Sequence, residues 1–268
     1  MFIKQVHIVF NSRETHRITN PLLNHPPNTM YYFTAIIRET GQKDENLEYL
    51  EKNLSLLKEN LPQLEIIQKE VDYTDYIEVM QELSKIIKKE REENQNCKIY
   101  INVGSGSKVT AIASVEASEL WNCDIYYVYS TKYDPMGEGP EHKGEMIIKE
   151  PLTFPIKKPK KIYVDILRLI ERMITERYKD KQYDDSRQKY IFKKNLVESL
   201  YTENILTLKS KNKDERKLQA SKYMKSKKYL NRLNSELNYI NVSKDKRNKK
   251  IFITDTGKEI LNIFKYYF

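Results

Sequence analysis

Two periodicities alternate along the first half of the chain. Lys4–Phe10 (KQVHIVF), Met30–Ile37 (MYYFTAII), Leu64–Val71, Lys98–Val103 (KIYINV) and Asp124–Ser130 (DIYYVYS) are short runs rich in β-branched and aromatic residues. That composition suits a pleated, half-buried surface and predicts five strands. Between them the apolar spacing changes to three and four. Asp44–Asn60 places apolar residues at 47, 50, 54, 57 and 61, Tyr73–Glu93 continues the same spacing, and Lys108–Trp121 is rich in alanine. These segments predict helices, with Asp72 or Thr74 as the cap that opens the middle one.

Strand and helix in strict alternation predict an α/β fold: a Rossmann-like, doubly wound, mostly parallel sheet with helices on both faces. Glu145–Ile148 adds an edge strand. Pro151, Pro155 and Pro159, interleaved with Lys157, Lys158, Lys160 and Lys161, break the pattern, because proline at this spacing favours stiff, extended chain. The boundary is set there: residues 1–150 form one domain, 151–161 a linker and 162–268 a second domain.

The second half has a different order. Ile162–Tyr178 is an amphipathic helix, Lys193–Tyr201 a short one, and Leu218–Leu237 contains a third, rich in lysine. Tyr239–Val242 and Ile251–Ile253 pair across a polar tip, Ser243–Lys250, and Thr254 caps a closing helix. Helices, a basic hairpin and a final helix are the order of a winged helix-turn-helix.

Charge separates the halves further. Residues 1–155 carry 17 Lys and Arg against 24 Asp and Glu, and residues 156–268 carry 30 against 14. A strongly basic second half attracts a polyanion. No apolar run is long enough to span a membrane, and the opening MFIKQVHIVFNSRE alternates like a strand and not like a secretory signal, so a cytoplasmic protein is expected. Two cysteines, Cys97 and Cys123, and four histidines, all before residue 143, offer no zinc pattern. No metal or cofactor is expected.

Candidate chemistry lies at strand ends. Gly104, Ser105, Gly106, Ser107 and Lys108 follow the fourth strand and open a helix, where free N–H groups and the helix dipole favour an anion. The glycines allow close approach of backbone to ligand. Neither the Walker A spacing nor G-x-G-x-x-G is present, and a tight turn that binds nothing is the plain alternative. Asn11, Ser12, Arg13 and Thr15, with Arg17 beyond, follow the first strand, and the alternative for them is a solvated loop. In the second half, Lys222, Lys225, Lys228 and Arg232 share one helix face, and the hairpin carries Lys244, Lys246, Arg247, Lys249 and Lys250. Together they predict an interface with double-stranded DNA.

Val6–Pro21 (VHIVFNSRETHRITNP) with Asn102–Lys108 (NVGSGSK) resembles the CARF family, the CRISPR-associated Rossmann-fold sensor domain, and its archaeal members fused to a winged helix. The loop keeps Gly106 and Lys108 and has Ser107 where that family usually has threonine. The resemblance implies a homodimer with a symmetric pocket and a cyclic oligoadenylate ligand, most often the tetramer. It gives the expectation of a ligand-responsive, DNA-binding transcriptional regulator. Two alternatives stand beside it: a ring nuclease that cleaves its ligand with help from Lys108, and a dimer that binds DNA constitutively with no small ligand. No histidine follows His142, which excludes a HEPN ribonuclease, and Asp214-Glu215-Arg216-Lys217 is too compressed for a PD-(D/E)xK nuclease.

Overall fold

The computed structural model describes residues 3–137, 140–151, 158–179, 188–208, 215–245 and 248–266. The chain divides into two units, with the break between Lys158 and Pro159. Residues 152–157, which include Pro155 and Lys157 of the expected linker, lie outside the described residues.

The first unit runs β1 (Lys4–Phe10), α1 (Thr15–Asn24), β2 (Thr29–Ile37), β3 (Gln42–Lys43), α2 (Leu47–Asn60), β4 (Glu65–Val71), α3 (Tyr76–Glu93), β5 (Cys97–Asn102), α4 (Lys108–Trp121), β6 (Asp124–Tyr133) and β7 (His142–Lys149). Parallel pairings give the order β4-β2-β1-β5-β6. β7 closes one edge antiparallel to β6, and β3 pairs antiparallel with the end of β2. The chain therefore steps outward from β1 to β4, then returns to the other side of β1 with β5. Strand order reverses between β1 and β5.

Both faces of the sheet are covered, as a parallel sheet requires. Val9, Met30 and Tyr32 pack against Ile18 and Leu22 of α1 and Leu50 and Leu57 of α2. Phe10, one residue on and facing the other way, stacks on Phe33 and meets the edge of Tyr73. α3 and α4 pack together over β5.

Three local readings need correction. α1 and β3 are absent from the hydrophobic pattern. Pro21 hides α1: it stands inside the helix and cannot donate to the carbonyl four residues back. α3 begins at Tyr76 and is capped by Asp75, whose carboxylate accepts from the Ile77 and Glu78 amides. Asp72 instead builds the preceding turn, accepting from Thr74 N–H and Oγ1 at one oxygen and from Arg38 N–H at the other. α2 begins at Leu47, because Asp44 is buried and accepts from the Asn46 and Ala35 amides.

The second unit runs α5 (Lys161–Tyr178), β8 (Ile191–Phe192), α6 (Lys193–Thr202), α7 (Glu215–Asn231), a π-helical turn (Arg232–Glu236), β9 (Ile240–Val242), β10 (Lys250–Ile253) and α8 (Asp255–Phe264). Its sheet is antiparallel in the order β8-β10-β9. Ile166, Ile170, Leu196, Leu200, Leu233 and Ile251 are fully or almost fully buried and form its core. α7 buries only Ser226 and Leu230 along its 17 residues. Thr254 caps α8 by accepting from Gly257 N–H. Among the described residues no helix is long and apolar enough to cross a membrane, and no acidic, histidine or cysteine cluster could hold a metal ion.

His7 lies on β1 beneath α1, with Tyr100 and Tyr126 against its ring and the Tyr126 hydroxyl 3.2 Å from Nδ1. Burial and the neighbouring His25 lower its pKa from 6.5 to about 4. The neutral ring is therefore the folded form. Its contribution to stability is complete above pH 6.5 and is lost as pH falls from there toward 4. The gap corresponds to about 3 kcal/mol. Melting temperature measured between pH 7 and 4.5 is expected to fall more steeply in the native chain than in His7→Phe. Parallel curves for the two would refute the assignment.

Candidate functional site

The loops after β1 and β5 meet at the reversal of strand order, where ligands of open parallel sheets bind. Asn102, fully buried, joins them. Its Nδ2 donates to the Arg17 carbonyl at 3.0 Å, the acceptor that Pro21 leaves without an intrahelical partner. Its Oδ1 accepts from the Gly104 amide at 2.8 Å. One side chain thus fastens the start of α1 to the β5 loop.

The two glycines are explained by packing. A Cβ on Gly104 would stand 3.0 Å from both Asn102 Oδ1 and the Val128 amide nitrogen, and 3.3 Å from the Arg17 guanidinium. Gly106 has φ +84°, and its Cβ would lie 2.7 Å from Phe10 Cβ and 2.6 Å from Thr110 Oγ1. Both positions need glycine whether or not a ligand approaches. Ser107 caps α4 through the Thr110 amide and donates its hydroxyl to the Tyr73 carbonyl at 3.0 Å. The Tyr73 hydroxyl in turn donates to the Phe33 carbonyl.

Two residues of this loop are left open. Ser105 Oγ is buried and has no hydrogen-bond partner. Lys108 is exposed at the first position of α4, beside first-turn N–H groups that the helix leaves unpaired. A buried hydroxyl without a partner costs roughly 1–3 kcal/mol.

After β1 the picture is more varied. Asn11 is buried; its amide donates to Asp44 Oδ2 and the Asn46 carbonyl, while its oxygen accepts from the Tyr32 hydroxyl. Those bonds commit both of its amide hydrogens to the fold. Ser12 accepts from the Glu14 amide and Thr15 opens α1. Arg13 is half-exposed and ion-paired with Glu141. Arg17 is buried, with Nε donating to the Val128 carbonyl at 2.9 Å and its guanidinium over the Tyr127 ring. The β6–β7 hairpin supplies groups that the sequence did not single out. His142 Nδ1 lies 3.1 Å from Glu14 Oε1, and the Tyr133 ring lies tilted against the imidazole, 5.1 Å between centroids. Glu14 and His142 are 128 residues apart, so no local motif joins them.

The predicted cations of the second unit separate in the same manner. Lys222 pairs with Glu198 at 2.9 Å and Lys225 donates to the Thr207 carbonyl, so both brace α7 against its neighbours. Arg232 lies in the π-helical turn, paired with Glu236 and over the Tyr163 ring. Lys250 lies over Tyr190. Lys228, Lys244 and Lys249 are exposed. Lys246 and Arg247 lie outside the described residues.

Asn102→Ala leaves the Arg17 carbonyl and the Gly104 amide buried and unpaired. It is expected to destabilise the first unit by about 2–4 kcal/mol. Thermal melts should show this, with Lys108→Ala melting like the native chain. A native-like melt for Asn102→Ala would refute the bracket.

Residues 5–133 match the family model described as "HFX_2341_N:-like, N-terminal". No curated protein matches the chain. Among solved structures, the chain is similar to Can2 from Sulfobacillus thermosulfidooxidans in complex with cyclic tetra-adenylate. The TM-score is 0.38 and identity 17%, covering 98% of this chain and 65% of that one. For Enterococcus italicus Csm6 bound to cyclic hexa-2'-fluoro-hexa-dAMP the values are 0.43 and 10%, covering 88% and 57%. For protein VC1899 from Vibrio cholerae they are 0.37 and 10%, covering 98% and 65%. The chain spans less than two thirds of each of these proteins. Similarity of this depth assigns no role to any residue here.

Proposed function

We propose that the first unit senses a nucleotide anion and that the second binds duplex DNA in response, as a ligand-controlled regulator. The carrying observation is the meeting of the β1 and β5 loops at the strand-order reversal, with Ser105 and Lys108 left unpaired in a rim where other polar groups are bonded. The donors there are a hydroxyl, an ammonium and the first-turn amides of α4, a set suited to a phosphate.

The resemblance of Val6–Pro21 and Asn102–Lys108 to CARF domains narrows the ligand to a cyclic oligoadenylate, with the tetramer tested first. A ring of repeated units suits a two-fold pocket, so a homodimer presenting two copies of the rim is part of the reading. Within that set Asn102, Asn11 and Ser107 hold the loops, and Ser105 and Lys108 contact the ligand. Arg13 joins them by exchanging Glu141 for phosphate.

For the second unit, the order α5-β8-α6-α7-β9-β10-α8 and the sheet order β8-β10-β9 support a winged helix-turn-helix. α7 would be the helix that enters the major groove, and its shallow burial suits that role. Its exposed positions include Met224, Lys227, Lys228 and Asn231, whereas Lys222 and Lys225 are taken up in bracing.

The test has two parts. Calorimetric titration with cyclic tetra-adenylate should give binding that Lys108→Ala weakens by about ten- to a hundredfold, the loss of one charge-assisted contact. Duplex affinity, measured on a panel of sequences with and without the ligand, should differ between the two states. Absence of ligand binding to the native chain removes the sensor, and equal duplex affinity in both states removes the coupling.

A further inference from the structure

The first unit has a second concavity, at the far end of α1 from the loops after β1 and β5. It lies between the last turn of α1 and the sheet and holds about 190 Å³. His7 of β1, Tyr126 of β6 and Tyr100 of β5 form its floor, the first two buried and the third half-buried. Their rings are tilted against one another, with the His7 ring centroid 5.0 Å from that of Tyr100 and 5.4 Å from that of Tyr126. Pro21 and Ile148 are the apolar walls. The mouth carries half-buried Gln5 and the exposed side chains of Glu150 and His25.

The polar groups of this cavity are left open. Asn102, the register partner of Tyr126 across β5 and β6, hydrogen-bonds the Tyr126 hydroxyl. The Asn102 oxygen is taken by the Gly104 amide, so the bond to Tyr126 comes from its N–H. The Tyr126 hydroxyl then donates to His7 Nδ1 at 3.2 Å, and the proton of the neutral imidazole sits on Nε2. His7 is only 5% exposed, yet among the described residues Nε2 has no hydrogen-bond partner. The Tyr100 hydroxyl, the Gln5 amide and the Glu150 carboxylate have none either. Buried polar groups are normally paired, and here the open ones surround one space. Among the described residues no lysine or arginine lines it, so it offers nothing to a phosphate or carboxylate. Its volume also lies below the roughly 300–1,000 Å³ of a site for a drug-sized ligand.

We propose that the cavity between the end of α1 and strands β1, β5 and β6 binds an uncharged, planar nitrogen heterocycle the size of a free nucleobase. His7 Nε2–H at the floor requires a ring nitrogen or carbonyl acceptor on the ligand. The Glu150 carboxylate at the mouth requires an N–H donor, and the Gln5 amide and Tyr100 hydroxyl serve either. A flat ring carrying acceptor and donor side by side satisfies both ends at once, with Pro21 and Ile148 against its faces or edges. The size and the absence of a cation exclude a nucleotide with its sugar and phosphate. The site is therefore separate from the anion rim at the other end of α1, and it stands whether or not that rim binds its ligand. No local motif marks it, because β1, the end of α1, β5, β6 and the segment after β7 each supply one or two of its groups.

The test titrates the full chain with adenine, followed by calorimetry and by the imidazole ¹⁵N resonances of His7. Adenine should bind with a dissociation constant between about 10 μM and 1 mM, the range open to so small a ligand. The His7 Nε2 resonance should shift as the site fills. Indole, of the same size but without a ring acceptor, should bind about tenfold more weakly, since it leaves Nε2–H unpaired. Ile148→Trp fills the cavity and should abolish binding. Glu150→Gln, at an exposed position, should weaken it about tenfold by removing a charged acceptor. Lys108→Ala, on the anion rim, should bind adenine like the native chain. No adenine binding at millimolar concentration would leave a water-filled cavity and overturn the proposal. So would binding that Ile148→Trp and Glu150→Gln both leave unchanged, or a His7 resonance that does not move. Loss of adenine binding in Lys108→Ala would place the base in the rim and overturn the separate site. Equal affinity for indole would overturn the hydrogen-bonded match.

Discussion

The arrangement at the strand-order reversal depends on one amide. Proline inside α1 removes the donor that the Arg17 carbonyl would have had, and a buried carbonyl left alone is costly. Asn102, coming from β5, supplies the donor and with its other atom takes the Gly104 amide. An isolated strand-to-helix turn would be free to adopt several paths. This one is held at both ends, to α1 by Asn102 and to the β4–α3 turn by Ser107. The positions of Ser105 and Lys108 follow from those two fixed points, so the loop's shape is set by the fold itself and needs no ligand to form it.

What the sequence revealed and what it concealed divide along physical lines. The parallel strands are readable because each is a local run of apolar residues whose partners are similar runs, so period and composition suffice. α1 is not readable, since Pro21 argues against a helix and its stabilising partner, Asn102, is 85 residues away. The loop after β5 was read as a place where glycines admit a ligand. In the structure the same glycines admit Phe10, Thr110 and the Arg17 side chain. A glycine pattern states that space is needed and is silent about what fills it. Asn11 gives the same lesson, with a polar residue at a strand end used to hold Asp44 and Tyr32.

Charge was legible in bulk and misleading in detail. The basic second half is plain from counting, but which lysines face outward is set by where carboxylates and carbonyls fall. Helical spacing grouped Lys222 with Lys225 and Lys228. Glu198 on α6 and the Thr207 carbonyl then withdraw the first two, leaving Lys227 and Lys228 exposed. Register along a helix gives neighbours on that helix alone. The acids that neutralise a cation come from other elements, and tertiary structure is needed to subtract them.

The loop after β5 combines bonded and unbonded polar groups within a few residues. In the first unit, polar groups near the rim are bonded in chains, Tyr32 to Asn11 to Asp44 and Ser107 to Tyr73, and beside them Ser105 Oγ stands unpaired. A sequence selected for stability alone would remove the unpaired hydroxyl with a single substitution, Ser105→Ala, and lose no hydrogen bond that the isolated fold uses. Asn53 Oδ1 and Ser84 Oγ are also buried without a partner, so what sets Ser105 apart is its place: it lies in the loop at the reversal of strand order, three residues before the exposed Lys108.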